Sequence, residues 1–370
     1  MKKILIYGLK EPIGGVEKVV LSYTQKFNCD ELVCDYLMFG DHFHFEKEIN
    51  KCKGKIFYLP NRIKNPKEYK EKFEQIFKTC SYDAVWGNFA GLTNIDIIKL
   101  AKKYRVPIRI AHSHGCALGW NGRLMRYLVP FFHHINKVKI KNYATDFWGC
   151  SKEAAQFMFP KSVHKKIKVI NNAIDSSVFY SNPEKRKAIR NELGIDNCFV
   201  IGHIARMCEE KNQFFMLDIF KEFLKTNSNA KLLFVGDGDI KRELESKAMA
   251  DGTFNNILFL GFKENVADYH RAANVFLFPS LAEGLGLSLI EAQACGVPCV
   301  ASANIPSIAD ISGCVSFIGL DKPISVWCES INRMGKKTIL NSTELIKKSN
   351  YDINEEAKKV ANFFVNGEFR

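Results

Sequence analysis

Long apolar runs are missing from this 370-residue sequence. No segment approaches the ~20 consecutive apolar residues that a membrane-spanning helix needs. The opening Met1-Lys2-Lys3-Ile4-Leu5-Ile6-Tyr7 starts like a secretion signal, but Lys10 and Glu11 end the apolar stretch too early for one. No Cys-x2-Cys pair occurs, and Cys295 and Cys299 have neither a matching pair nor a nearby histidine, which excludes a zinc site. The 12 cysteines are too sparse for a disulfide scaffold, so reduced, buried thiols in a cytoplasmic protein are expected. Short repeats, low-complexity tracts and Gly/Ser linkers are absent as well. What remains is a soluble or membrane-peripheral globular chain.

Hydrophobic residues make up 46% and charged residues 25%, enough to build sizeable cores. The length suggests two domains. Residues 1–175 carry 30 Lys+Arg against 16 Asp+Glu, and residues 176–370 carry 23 against 24. The whole excess of +13 therefore belongs to the N-terminal half. Such asymmetry asks for an anionic partner, whether nucleic acid, a phosphorylated ligand or an anionic membrane. No helix-turn-helix, RNP-like or zinc-finger pattern occurs, so a nucleic-acid partner is not expected.

Short apolar runs alternate with amphipathic stretches along the chain. Ile4–Tyr7, Leu32–Phe39, Lys55–Leu59, Ala84–Trp86, Arg109–Ala111 and Asp146–Gly149 read as strands. A second series, Phe199–Ile204, Lys231–Val235, Ile257–Leu260, Val275–Phe278 and Pro298–Ala301, begins after Asn171. Helical spacing fills the intervals, and strand–helix alternation predicts parallel sheets covered on both faces. The fold class is thus α/β. Residues 121–141 interleave aromatic and aliphatic side chains with Arg123, Arg126, Lys137, Lys139 and Lys141 and contain no acid. They read equally as a basic amphipathic helix on an anionic membrane or as an ordinary helix with one side in the core.

The sharpest chemical signal is residues 278–291, where a strand runs into a loop holding Glu283 and then into a helix opened by Gly284 and Gly286. Glycines admit close backbone approach, and a helix N-terminus offers N–H groups to a phosphate. Glu283 and Glu291, eight residues apart, can accept from neutral hydroxyls, which points to a sugar and a ribose. A second strand–loop–helix unit places Arg206 and Lys211 where a strand ends, a pairing suited to a diphosphate.

Together these segments resemble the retaining glycosyltransferases of family 4. The resemblance rests on the Glu-x7-Glu spacing of Glu283 and Glu291, the Arg-x4-Lys pair Arg206 and Lys211, Val235-Gly236-Asp237-Gly238, and the weaker first-half matches Gly14-Gly15 and His112-Ser113-His114. It implies the GT-B fold, two facing Rossmann-like domains with an interdomain cleft. The expected boundaries are an acceptor domain over 1–172, a nucleotide-sugar domain over 173–350, and a C-terminal helix in 351–370 packing back on the first domain. Departures are Ala173 where the family often has glycine, and Asp239 where it often has proline.

Residue by residue, the resemblance implies that Arg206 and Lys211 neutralise the leaving diphosphate. Glu291 would hold the ribose, Glu283 the donor sugar, and the backbone at Gly284, Leu285, Gly286 and Leu287 the phosphate and sugar. Phe262 and Lys263 fall where the nucleobase is recognised. His114 falls where a histidine reaches the donor sugar, with His112 as an alternative on the same strand face, and Gly15 lies by the phosphates or acceptor. The expected activity is transfer of a sugar from a nucleotide-sugar, a UDP-sugar first, to an acceptor hydroxyl with retention. No cofactor is expected, and no Asp-x-Asp pair suited to a divalent ion is read at a plausible strand end, so metal independence is expected. The expected acceptor is a glycan or a polyprenyl-diphosphate-linked glycan in cell-surface polysaccharide synthesis, met at the cytoplasmic face of an anionic membrane. A nucleotide-sugar hydrolase or epimerase of the same fold, and a basic nucleic-acid-binding protein, are the alternatives.

Overall fold

The computed structural model describes residues 1–10, 14–39, 46, 49, 53–115, 118 and 125–369. Of the basic segment, residues 121–124, with Arg123, lie outside the described residues. The chain divides into two compact units, Met1–Ala173 with Asp352–Arg370, and Ile174–Tyr351.

The first unit is built on strands β1 (Lys2–Lys10), β2 (Leu32–Phe39), β3 (Ile56–Leu59), β4 (Ala84–Phe89), β5 (Ile108–Ser113), β6 (Asp146–Gly149) and β7 (Ile167–Val169). Their order in the sheet is β3-β2-β1-β4-β5-β6-β7, and every described pair is parallel. Helices α1 (Gly15–Thr24), α2 (Pro66–Thr79), α3 (Asp96–Lys103), α4 (Met125–Lys139) and α5 (Lys152–Met158) make the crossovers. The second unit repeats this plan. It comprises β8 (Phe199–Ile204), β9 (Ala230–Val235), β10 (Ile257–Phe259), β11 (Val275–Phe278), β12 (Cys299–Ser302) and β13 (Val315–Ile318), in the order β10-β9-β8-β11-β12-β13. Its helices are α6 (Pro183–Glu192), α7 (Gln213–Leu224), α8 (Lys241–Ala250), α9 (Val266–Ala272), α10 (Leu287–Ala294), α11 (Ile324–Met334) and α12 (Ser342–Lys348). The last helix, α13 (Ile353–Asn366), packs on α1 and β2 within the first unit.

Both sheets carry helices on both faces, which is why their strands are continuous apolar runs without alternation. Side-chain period two then divides the second unit's core. Val200, Leu233, Phe276 and Phe278 pack on one side with Leu289 and Ile290 of α10. Ile201, Leu232, Phe234 and Leu277 pack on the other with Leu217 and Phe220 of α7 and Trp327 of α11.

The elements that the sequence pattern did not single out include the weakly apolar β7 and α6, and also β13 and α11, whose Trp327 is fully buried. Edge strand β7 has only three residues, and in α6 only Ile189 and Arg190 are buried. In α4 the reading of an ordinary helix with its apolar side in the core does not hold, because most of its large apolar side chains face outward. Its buried residues include His133 and Asn136, which accept from and donate to the Leu92 backbone at 3.1 and 2.8 Å. Tyr127, Phe131, Phe132 and Val138 are exposed. Among the described residues, Cys29, between α1 and β2, departs from the reduced expectation and is disulfide-bonded, whereas Cys34, Cys150, Cys295 and Cys299 are buried free thiols.

Candidate active site

In each sheet the strand order reverses once, at β1/β4 and at β8/β11, and such switch points open a crevice at the carboxyl ends of the strands. The two strongest sequence motifs lie at the second of these. Arg206 and Lys211 follow β8, and Glu283 to Leu287 follow β11, although 70-odd residues of chain separate them. Four contacts stitch the two strand–loop units together. His203 Nδ1 lies 3.0 Å from the Leu277 carbonyl, Asn212 Nδ2 donates to the Pro279 carbonyl at 3.2 Å, and Leu281 N–H donates to the Glu210 carbonyl at 2.9 Å. The Lys211 ammonium also pairs with the Glu283 carboxylate.

Buried Gln213, which sequence reasoning missed, supports the Arg206 end. Its Nε2 donates to the Arg206 carbonyl at 2.9 Å and lies 3.3 Å from His203 Nε2. Burial lowers the His203 imidazole to about 4, so the ring is neutral at pH 7. A neutral ring donating from Nδ1 accepts at Nε2, which accounts for both contacts. The signal was faint, since a single glutamine at a helix start has many ordinary uses.

Gly286 opens α10 with φ +85, a conformation favoured by glycine, and no side chain caps the helix. Leu285 and Leu287 turn their side chains into the core, so their ligand contacts would be through the backbone. Gly284 is half-buried beside them. Glu291, one turn into α10, has Oε2 3.4 Å from Nε2 of buried His270. Phe262, the third residue after β10, is 66% exposed, and Lys263 Nζ lies 5.9 Å from the Tyr269 ring centre. Gly236 and Gly238 follow β9 and touch the Arg206 loop: a Cβ on either would lie 2.0 Å from the carbonyl oxygen of Ala205 or Met207. Asp237-Gly238-Asp239, an Asp-x-Asp sequence the sequence reading passed over, also stands here. The Asp237 carboxylate accepts from the Gly238 N–H at 2.8 Å. Among the described residues no group of three or more His, Cys, Asp or Glu is arranged to hold a metal ion.

The remaining two site residues, Gly15 and His114, belong to the first unit. Gly15 is the first residue of α1, and a Cβ there would meet nothing within 4 Å. Buried Glu17 ties the end of β1 to the start of α1 by accepting from the N–H groups of Gly14 at 2.9 Å and Lys10 at 3.3 Å. His114 lies just beyond β5, half-buried, with Nε2 2.9 Å from Asn88 Oδ1. His112 is fully buried, and its Nδ1 accepts from Trp86 Nε1 at 3.1 Å. Of the two histidines, His114 is the accessible one.

The chain is similar to known proteins. The family model for glycosyl transferases group 1 matches residues 185–313, which hold Arg206, Lys211, Glu283 and Glu291. EpsF of Bacillus subtilis, named as a glycosyltransferase, is 31% identical over 333 residues, covering 86% of this chain and 84% of EpsF. The capsular polysaccharide biosynthesis glycosyltransferase CapH of Staphylococcus aureus is 30% identical over 223 residues, covering 53% of this chain and 59% of CapH. Among solved structures, Anabaena HepE in complex with UDP and glucose superposes with a TM-score of 0.78 at 18% identity, over 99% of this chain and 100% of HepE. That likeness gives the fold, two Rossmann-like domains of the GT-B class. On the family match and the extent of the EpsF likeness, the chain belongs to the group 1 glycosyltransferases.

Proposed function

We propose that the chain moves a sugar from a nucleotide-sugar, UDP-sugars first, to an acceptor hydroxyl with retention at the anomeric carbon. The observation that carries this reading is the stitched pair of loops at β8/β11. They present two cations, a carboxylate and the uncapped N-terminus of α10 at one ligand-binding edge of a parallel sheet. UDP and glucose in the HepE complex support the choice of donor.

In this reading Arg206 forks onto the diphosphate and Lys211 offers it a point charge. The bond between the anomeric carbon and the diphosphate oxygen breaks, and the acceptor oxygen bonds to that carbon on the same face. The acceptor's proton goes to the leaving diphosphate. Negative charge builds on that diphosphate as the bond lengthens, and pre-placed cations and backbone N–H groups stabilise it without reorganisation. Glu291 accepts from ribose hydroxyls and Glu283 from the sugar. Phe262 and Lys263 flank the base, Gly15 admits a close ligand approach, and His114 meets a sugar hydroxyl. The cations take the place of a metal.

The acceptor side follows from charge. The excess of Lys and Arg lies in the first half of the chain, and α4 exposes Tyr127, Phe131, Phe132 and Val138 beside Arg126, Lys139 and Lys141. An apolar face rimmed by cations suits an anionic bilayer, so the proposed acceptor is a polyprenyl-diphosphate-linked glycan met at the membrane's cytoplasmic face. CapH's role in capsular polysaccharide biosynthesis supports assembly of a cell-surface polysaccharide. The test is incubation with radiolabelled UDP-sugars and a lipid-linked glycan. Label is expected in the lipid fraction, with the α-configuration of the donor retained. UDP release that ignores the acceptor would overturn transfer in favour of hydrolysis.

A further inference from the structure

Asn88, near the end of β4, is 3% exposed and stands between β1 and His114. Its Nδ2 donates to the Tyr7 carbonyl at 3.1 Å and lies 3.4 Å from the Trp86 carbonyl. Both partners only accept, so the amide nitrogen must face them and the oxygen must face His114. That oxygen lies 2.9 Å from His114 Nε2. An amide oxygen cannot donate, so the proton shared between them belongs to the imidazole. Burial lowers His114 to about 3, so the ring carries a single proton at neutral pH. Nδ1 is then a lone-pair acceptor, and it is buried without a partner.

The surroundings hold this arrangement in place. The His114 N–H donates to the Phe89 carbonyl at 2.9 Å, and the His112 ring lies 4.0 Å from the His114 ring. Gly8, at φ +102, brings β1 so close that a Cβ there would lie 2.0 Å from the Asn88 carbonyl oxygen. The Asn88 backbone is thereby packed tightly against β1.

We propose that Asn88 is a positioning residue that fixes His114 in its Nε2–H tautomer, making Nδ1 an acceptor for a hydroxyl group of the sugar substrate. A lone pair repels phosphate oxygens, so His114 takes a neutral hydroxyl and no part of the diphosphate. This inference rests on the reading of His114 as a sugar contact.

The full chain labelled with 15N reports the tautomer directly. Long-range 1H–15N spectra at pH 7 without ligand are expected to show a protonated Nε2 and an unprotonated Nδ1 on His114. In Asn88→Leu the ring is expected to become a tautomer mixture, and kcat/KM for UDP-sugar consumption to fall about 10- to 100-fold. UDP affinity by calorimetry should stay within about twofold, because the proposed nucleotide contacts lie in the other unit. Asn88→Leu should cost less than about twofold in a His114→Ala background. A wild-type His114 protonated at Nδ1, or an equal loss in both backgrounds, would overturn the assignment. If the wild type consumes no nucleotide-sugar, glycosyl transfer fails as a reading, while the spectra still decide what Asn88 does.

Discussion

Lys211 and Glu283 form an ion pair that joins the loop after β8 to the loop after β11, with side chains 22% and 12% exposed. The Lys211 ammonium also sits 5.3 Å from the centre of the Phe278 ring. A flexible lysine is thereby held at the switch point of the second sheet before any ligand arrives. Fixing a long side chain in advance removes an entropy cost from the binding step.

The double change Arg206→Ala, Lys211→Ala therefore removes both proposed diphosphate cations. We expect a loss of about 100- to 1,000-fold or more in kcat/KM for the UDP-sugar. Circular dichroism should remain that of the folded protein, since neither side chain is in the core. Full activity would refute the diphosphate role.

Because the cations take the place of a metal in the proposed reaction, EDTA should leave the initial rate within about twofold of the control. A strong loss, restored by Mg2+ or Mn2+, would return attention to Asp237 and Asp239.

Gly8 and Gly236 allow close backbone contacts, each with a would-be Cβ only 2.0 Å from a carbonyl oxygen. Gly8→Ala and Gly236→Ala should each cost about 2–4 kcal/mol, read in thermal denaturation of the affected unit. Gly15→Ala fills open space and should leave the melting temperature within about 2 °C. Its effect on turnover separately tests whether a ligand comes close to that backbone.

Acid should weaken the fold before most carboxylates titrate. Burial keeps His203 and His114 neutral down to about 4 and about 3. In the unfolded chain a histidine takes its proton near pH ~6.5. Below that pH the unfolded state binds protons that the folded state refuses, so stability falls as pH falls. Each histidine contributes a slope of about 1.4 kcal/mol per pH unit, ending at its folded value. Thermal melts from pH 7 to 5 should show this decline, and His203→Gln should make it shallower. An unchanged slope in that variant would refute the assignment.

Phe131→Ser with Phe132→Ser should reduce co-sedimentation with phosphatidylglycerol vesicles severalfold while sparing consumption of UDP-sugar with a soluble acceptor. Raised salt should weaken binding of the unaltered protein, because part of the attraction is between exposed charges. Equal binding by the variant would exclude α4 as the contact.

Much of this protein was legible one residue at a time. Continuous apolar runs such as Val275–Phe278 announce strands buried on both faces, because helices cover both faces of a parallel sheet. Glycines at 284 and 286 and the carboxylates at 283 and 291 carry their chemistry in their spacing along a strand–loop–helix unit. Short or polar elements such as β7 and α6 were not legible, since their stability comes from neighbours and not from their own pattern. Two residues apart on one strand, His114 and its alternative His112 are not separated by local pattern. Only tertiary structure separates them, by sealing His112 against Trp86 and leaving His114 half-buried on Asn88. Likewise, local pattern assigns Arg206 to one loop and Glu283 to another, but strand order alone decides that β8 and β11 are neighbours. Backbone pairing between strands distant in sequence is what joins the two motifs into one site.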